Sequence, residues 1–426
     1  MSTLLIDGLI FLAGLLKFVQ IPIVGTLYLT EILLALVLVL LLPSRGRLLK
    51  ARLPRTFVLL LAVWLFAQVA TDIIRGTTFQ DYARGWAMIG FALINFCALY
   101  LAMAGKPKRM VLFLAGLAGG QIAGYFLAPG EYALDYPWKF GYGMGINWIL
   151  VLLAVGLMTR RQTRRGAGLV LLIVAAVNIV FDFRSAGGSA FLAACILFAQ
   201  QRRRTGHTRR RTPLWRYLML GAVGLIGAGA IVQLYEYSVQ NGWAGESARA
   251  KYEMQTGGDF NLLLSGRSEI LISSIAVMDS PLIGHGSWAK DCKYASLYTE
   301  IREKAGYHAE QWNDQCLIPA HSHLMGSWVQ AGVVGTIVWL WVLLIAARGL
   351  MALDAVRNKY SPLIAFFAIA LIWDVLFSPF YGFTRFMTPF YIVVMMISIS
   401  FSPRPARPKR MALERISSRV MPGSAS

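Results

Sequence analysis

The chain has 426 residues, of which 57% are hydrophobic and only 15% charged, and its mean hydropathy is +0.57. Too few polar groups are present to coat a soluble globule of this size, and the composition is that of an all-α polytopic membrane protein. The net charge of +20 falls in short clusters between apolar runs, which argues against nucleic acid as a partner and for topogenic charge in contact with anionic membrane lipids.

Met1-Ser2-Thr3 lacks a basic start and the first apolar run leads into a second, so no cleavable signal peptide is expected. Apolar windows fall near 3–24, 26–43, 56–73, 86–104, 110–128, 141–158, 166–183, 187–200, 216–235, 324–347, 363–380 and 386–402. Most have the 17 to 24 residues that about 30 Å of hydrocarbon requires, which predicts about 12 transmembrane helices. The window at 187–200 is short, but without it the charge pattern fails. With it, the clusters Arg45 to Arg55, Lys106 to Arg109, Arg160 to Arg165 and Arg202 to Arg216 all fall on one side, and none of those connectors contains an acid. The positive-inside rule then puts both termini, and the basic tail from Arg404 to Arg419, in the cytoplasm.

The predicted organisation is helices 1–9 over residues 1–234, a periplasmic loop with short helices over 235–320, helices 10–12 over 321–402, and a basic cytoplasmic tail over 403–426. The loop inverts the charge of the rest, with eleven acids against seven bases, as expected of a segment on the opposite side. Twelve helices also suit a flippase or transporter of a lipid-linked or anionic solute. A two-halves transporter would carry its long connector after helix six, where this chain has only Thr159 to Arg165. Transport also needs charges near mid-membrane, and only Lys17 and Asp374 read that way.

Residues that suit chemistry gather on the loop side. His321-Ser322-His323 stands where the polar loop meets the apolar run from Leu324, and imidazole is the side chain best matched to proton transfer near neutral pH. The same pair, with Glu310 or Asp314, would also make a zinc site and hence a metal-binding sensor. Arg75, Arg84, Arg184, Arg267 and Arg385 lie on the side where arginine is disfavoured. Each must be balanced, either by neighbours such as Asp72, Asp81, Asp182 and Glu269 or by a shared anionic ligand; planar guanidinium suits a diphosphate. The two options weigh evenly for Arg184 and Arg267, while neighbouring acids are favoured for Arg75, Arg84 and Arg385. Most aromatic residues here read as an interfacial belt, with Trp288 and Trp312 as candidates to stack on sugar rings. Cys97 and Cys195 fall within helices, whereas Cys292 and Cys316 both lie in the loop, where an oxidising compartment would let them pair. No Walker spacing, nucleophile elbow or D-x-D is present.

Taken together, Ser265-Gly266-Arg267-Ser268-Glu269, Asp279-Ser280-Pro281-Leu282-Ile283-Gly284-His285-Gly286, and His321-Ser322-His323-Leu324 followed by Gly332 and Gly335 resemble the signature of the bacterial O-antigen ligase and O-antigen polymerase superfamily. The Arg184-Ser185 segment is similar to a further motif of that family. The resemblance implies a multi-spanning, all-helical glycosyltransferase (GT-C-like) that moves a glycan from undecaprenyl diphosphate to an acceptor at the periplasmic face, with no cofactor, nucleotide sugar or metal. It implies that His321 is the essential histidine and that Arg184 and Arg267 hold the diphosphate, whereas His323 and His285 match no family position. The acceptor could be lipid A core, another lipid-linked repeat unit or a protein hydroxyl, and the loop text leans towards a polymerase or exopolysaccharide role. A chain-length regulator or export proteins are the expected protein partners. Arg75, Arg84, Arg385, His323, Trp288 and Trp312 remain further candidates for substrate contact.

Overall fold

In hydrocarbon every backbone N–H and C=O must find a partner within the protein, so apolar runs of this length fold as helices. The computed structural model describes residues 3–202, 237–243, 268–304, 315–355 and 358–401, together with residues 233 and 249. Each expected window within them carries a helix: α1 (Thr3–Leu15), α2 (Leu29–Arg45), α3 (Arg52–Arg75), α4 (Phe79–Met103), α5 (Lys108–Leu127), the short α6 (Glu131–Asp135), α7 (Tyr142–Leu157), α8 (Arg164–Val180) and α9 (Arg184–Arg202). Two helices of the long loop follow, α10 (Ser268–Asp279) and α11 (Cys292–Lys304), and then α12 (His323–Ala355), α13 (Ser361–Phe377) and α14 (Thr384–Phe401). Apart from residue 233, the window at 216–235 lies outside the described residues. Among the described residues, six segments are long and apolar enough to cross a membrane: Leu29–Lys50, Arg52–Arg75, Phe79–Met103, Lys108–Leu127, His323–Leu353 and Thr384–Phe401. Tyr142–Leu157 and Ser361–Phe377 are apolar but shorter. The chain is thus a multi-pass, predominantly helical membrane protein.

The first window departs from expectation. Helix α1 stops at Leu15, a 3-10 turn covers Leu16–Phe18, and an antiparallel hairpin pairs Gln20 with Tyr28, Ile21 with Leu27 and Pro22 with Thr26. Apolar content did not extend the helix because Pro22 cannot donate a backbone hydrogen bond and clashes with a preceding helical turn. Helix α1 is held against α5 by backbone contact: a Cβ on Gly14 would lie 2.5 Å from the Phe113 carbonyl, and one on Gly120 would lie 2.2 Å from that of Leu15. Small residues at such crossings let two helices approach closely in a membrane.

Charges mark the two ends of the bundle. At one end Arg109, 3% exposed, pairs with Asp7 at 2.5 Å and donates to Ala102 O, while Arg45 donates to Ala102 O and Ala104 O. Two basic connectors thus meet on the carbonyls that close α4, where cations complement the helix dipole. At the other end, Gly76 closes α3 in the left-handed conformation, with φ 63°.

The described part of the long loop docks at that second end. Gly332 interrupts α12 with φ 64° and ψ −158°, and the ladder of helical hydrogen bonds opens there. Val333 N turns to Pro281 O (3.0 Å), while the released carbonyls of Val329 and Gln330 accept from His285 N (2.7 Å) and Gly286 N (3.0 Å). The two backbones touch: a Cβ on Gly332 would stand 2.0 Å from Leu282 O, and one on Gly284 would stand 2.6 Å from Gly332 N. Side chains of α3 complete the seam. Asp72 accepts from Ser287 N and Oγ and from Trp86 Nε1, Thr71 donates to Ile283 O, and Arg75 donates to Gly284 O and Ser280 Oγ. Lys290 pairs with the buried Asp81 at 2.7 Å.

Behind the seam, Ile272, Ala276, Tyr294, Ile318 and Val329 form a small apolar core. Cys292 and Cys316 are joined by a disulfide, with their Cα atoms 4.6 Å apart. Burial and Glu269, whose carboxylate accepts the hydroxyl at 2.8 Å, push Tyr298 up to about 12. The Tyr294 hydroxyl, helped by Lys293, holds Asp279 below the usual carboxylate range.

Two predictions follow from the docking. Gly332→Ala forces a Cβ into a carbonyl at positive φ and should cost roughly 2 kcal/mol or more, lowering the thermal midpoint in detergent. Gly8→Ala, with nothing within 4 Å, should leave it unchanged; equal effects would remove the argument. The Asp279 contribution is fully present above the ordinary carboxyl value of about 3.9 and is lost as pH falls through the lowered native value. Hydrogen exchange of α10 and α11 should show that acid step in wild type and not in Asp279→Asn.

Candidate active site

The segment Leu317 to Ser322 leaves the disulfide and enters α12. Ser322 caps the helix: its hydroxyl accepts from Met325 N at 3.2 Å and donates to Val375 O at 2.9 Å. The capping residue separates two histidines with opposite surroundings. His321 is exposed on the non-helical side of the cap. His323 is fully buried, with Nδ1 2.6 Å from Ser378 O and Nε2 3.1 Å from Thr388 Oγ1. Because a carbonyl can only accept, Nδ1 is the donor in the first bond. Trp339 and Phe380 close on the ring, with centroids at 4.7 and 5.0 Å.

His323 therefore ties three elements together: α12, the 378–383 connector after α13, and α14. Its position fixes His321 two residues away. Ser378 and Thr388 gave no signal of this partnership in the sequence, because both are distant along the chain and only the helix packing brings them to the ring. Asp374 accepts from Ser378 Oγ at 2.8 Å, so the same connector is held from both sides.

The arginines divide by what they hold. Arg184 opens α9 and pairs with Asp182 at 3.0 Å, both about a quarter exposed, and Asp182 itself has φ 52°. Arg75 is engaged with the loop, as described. Arg84 donates to Val24 O at 2.8 Å at the hairpin tip, and its guanidinium lies 5.9 Å from the Trp288 ring. Arg385 is almost buried, pairing with Glu31 at 2.7 Å, donating to Thr26 O, and lying over Tyr28 and Phe91. Glu31 also accepts from Tyr28 N at 3.0 Å, so one carboxylate starts α2 and balances the arginine. No motif in the sequence points to Glu31; a carboxylate two residues into an apolar helix is the signal it offers. Arg267 and Trp312, like Glu310 and Asp314, lie outside the described residues.

Chemically, the arrangement offers an exposed imidazole on a rigid cap and a cation at the start of α9. His323→Ala should lower stability by about 2 to 4 kcal/mol, because it opens a cavity and strands two polar partners. His321→Ala should cost less than His323→Ala, because its side chain is exposed and leaves no cavity in the core. Thermal unfolding of the two variants side by side checks this, and a reversed order would exclude the assigned roles.

No curated protein matches the chain. A family model does: that of the O-antigen ligases matches residues 172–340, a span that holds Arg184, Arg267, His321, Gly332 and Gly335. This match bears out the resemblance read from the motifs and supports placing the protein with the O-antigen ligase and polymerase superfamily.

Proposed function

We propose that the protein is a bacterial inner-membrane glycosyltransferase that moves a glycan from undecaprenyl diphosphate to an acceptor hydroxyl at the periplasmic face. The observation that carries this reading is the split of the histidine pair within the matched region, His321 exposed and His323 buried as its anchor. A glycosyl diphosphate already has a good leaving group. The protein needs to take a proton from the acceptor and to stabilise negative charge growing on phosphate.

In this mechanism His321 accepts the acceptor's hydroxyl proton as its oxygen attacks the anomeric carbon. The bond from that carbon to the diphosphate oxygen breaks, and undecaprenyl diphosphate leaves as an anion. Arg184 and Arg267 are assigned to that anion, since guanidinium is permanently charged and pairs with two phosphate oxygens at once. The acceptor is a second lipid-linked glycan, as in a polymerase or exopolysaccharide synthesis, with lipid A core as the ligase alternative. One displacement inverts the anomeric carbon, and no metal takes part. Both termini and the basic connectors face the cytoplasm, twelve helices cross the membrane, and residues 235–320 cover the glycan outside.

The test is turnover of undecaprenyl diphosphate oligosaccharide by protein in nanodiscs, with and without chelator, read as released undecaprenyl diphosphate and enlarged glycan. His321→Ala and Arg267→Ala should each lose about 10² to 10⁴-fold in rate while remaining folded. Normal turnover by His321→Ala would remove the assignment, and retention of anomeric configuration by NMR would exclude a single displacement. Product size separates polymerase from ligase.

A further inference from the structure

Lys17 is a buried cation without a counter-ion among the described residues. It sits in the 3-10 turn after α1, 7% exposed, in a position pinned by the close α1–α5 crossing. Its ammonium donates to Gln121 Oε1. The amide of Gln121 cannot turn over to offer anything else, because its Nε2 donates to Phe140 O at 3.0 Å and Gly141 O at 2.9 Å. Two aromatic rings lie near the ammonium, with centroids at 5.0 Å for Trp148 and 5.2 Å for Phe383. Among the described residues no carboxylate lies within ion-pair distance of Lys17. Ring faces and one amide oxygen make the cation tolerable, but they bring no opposite charge. The contrast with Arg385, equally buried and paired with Glu31, shows that this chain supplies a carboxylate where neutralisation is wanted.

The connector over Lys17 is the one that His323 holds. Ser378 O and Phe380 contact the His323 ring, Gly382 turns the chain with φ 59°, and Phe383 lies on Lys17. Three residues from Phe380 to Phe383 span at most about 11 Å. Phe383 is 39% exposed, so the ring that covers the ammonium is itself on an accessible face.

We propose that Lys17 is a further anion-binding residue of this site, which takes a phosphate oxyanion carried on a lipid as its missing counter-ion and parts from Phe383 when it does so. The inference rests on the lipid diphosphate reading above and adds to it a contact on the α1 side of the connector. A lipid-borne phosphate fits because the surroundings are aromatic and dry, where a free hydrated anion gains little.

The experiment measures binding of glycan-free undecaprenyl diphosphate to protein in nanodiscs, with phosphatidylglycerol as the competing phospholipid. Wild type, Lys17→Met, Lys17→Gln and Lys17→Arg are compared. Loss of a charge-assisted contact should weaken binding about 10- to 100-fold for Met and Gln, with Arg retaining most of it. The thermal midpoint of Lys17→Met should be unchanged or higher, since it removes an unneutralised buried charge. In turnover the loss should fall on KM rather than kcat. Unchanged affinity in both Met and Gln variants overturns the proposal, and so does a lower midpoint with normal binding, which marks a structural lysine. Loss of phosphatidylglycerol alone assigns the residue to bulk phospholipid and overturns the substrate contact. If wild type binds undecaprenyl diphosphate through Lys17 yet transfers no glycan, the transferase reading fails and the Lys17 site stands.

Discussion

At Gly332 the backbone of α12 leaves helical geometry, and the carbonyls of Val329 and Gln330 that this releases accept from the loop at His285 and Gly286. The exchange works only because two chains touch without side chains between them, at Gly332 and Gly284. Each amide bond of this kind is worth roughly 1 kcal/mol net, but leaving one unmade at a buried seam costs more. The break is therefore stable only while the loop is seated, and the loop is seated only because the helix breaks. Asp72, Thr71 and Arg75 then lock the same loop to α3, so one short stretch joins the extramembrane helices to two membrane helices.

The same end of the bundle shows how two arginines are accommodated there. Arg84 and Arg385 both hold the hairpin between α1 and α2, one through Val24 O and the other through Thr26 O and Glu31. Their guanidinium planes lie over Trp288, Tyr28 and Phe91, which makes use of the aromatic supply that hydropathy alone reads as an interfacial belt. The hairpin thus follows α1 within the apolar run, and charge and aromatic faces hold it in place.

His321 and His323 are two residues apart and yet have different surroundings. Ser322 caps α12 between them, so the first histidine precedes the helix and the second enters the core against Ser378, Thr388, Trp339 and Phe380. An exposed imidazole on a flexible connector would wander; here its neighbour is fixed by two hydrogen bonds and two rings. Preorganisation of this sort keeps a reacting group near its working geometry without an entropic cost at the moment of reaction.

Hydropathy, the spacing of apolar windows and the clustering of Lys and Arg belong to composition along the chain, so the membrane class, the helices in their described windows and the importance of the segment from Ser265 to Gly335 were legible without coordinates. The motif glycines were visible too, and Gly284 and Gly332 proved to matter because no Cβ fits where their backbones meet. Which polar groups would pair was not legible. His323 with Thr388, Arg385 with Glu31 and Asp72 with Ser287 join residues 65, 354 and 215 positions apart. No local pattern encodes such pairs; they are selected when helices pack and every buried donor must meet an acceptor. That is also why Lys17, legible in the sequence only as a charge among apolar neighbours, shows its surroundings only in the folded chain, where rings and an amide oxygen lie around it and, among the described residues, no acid.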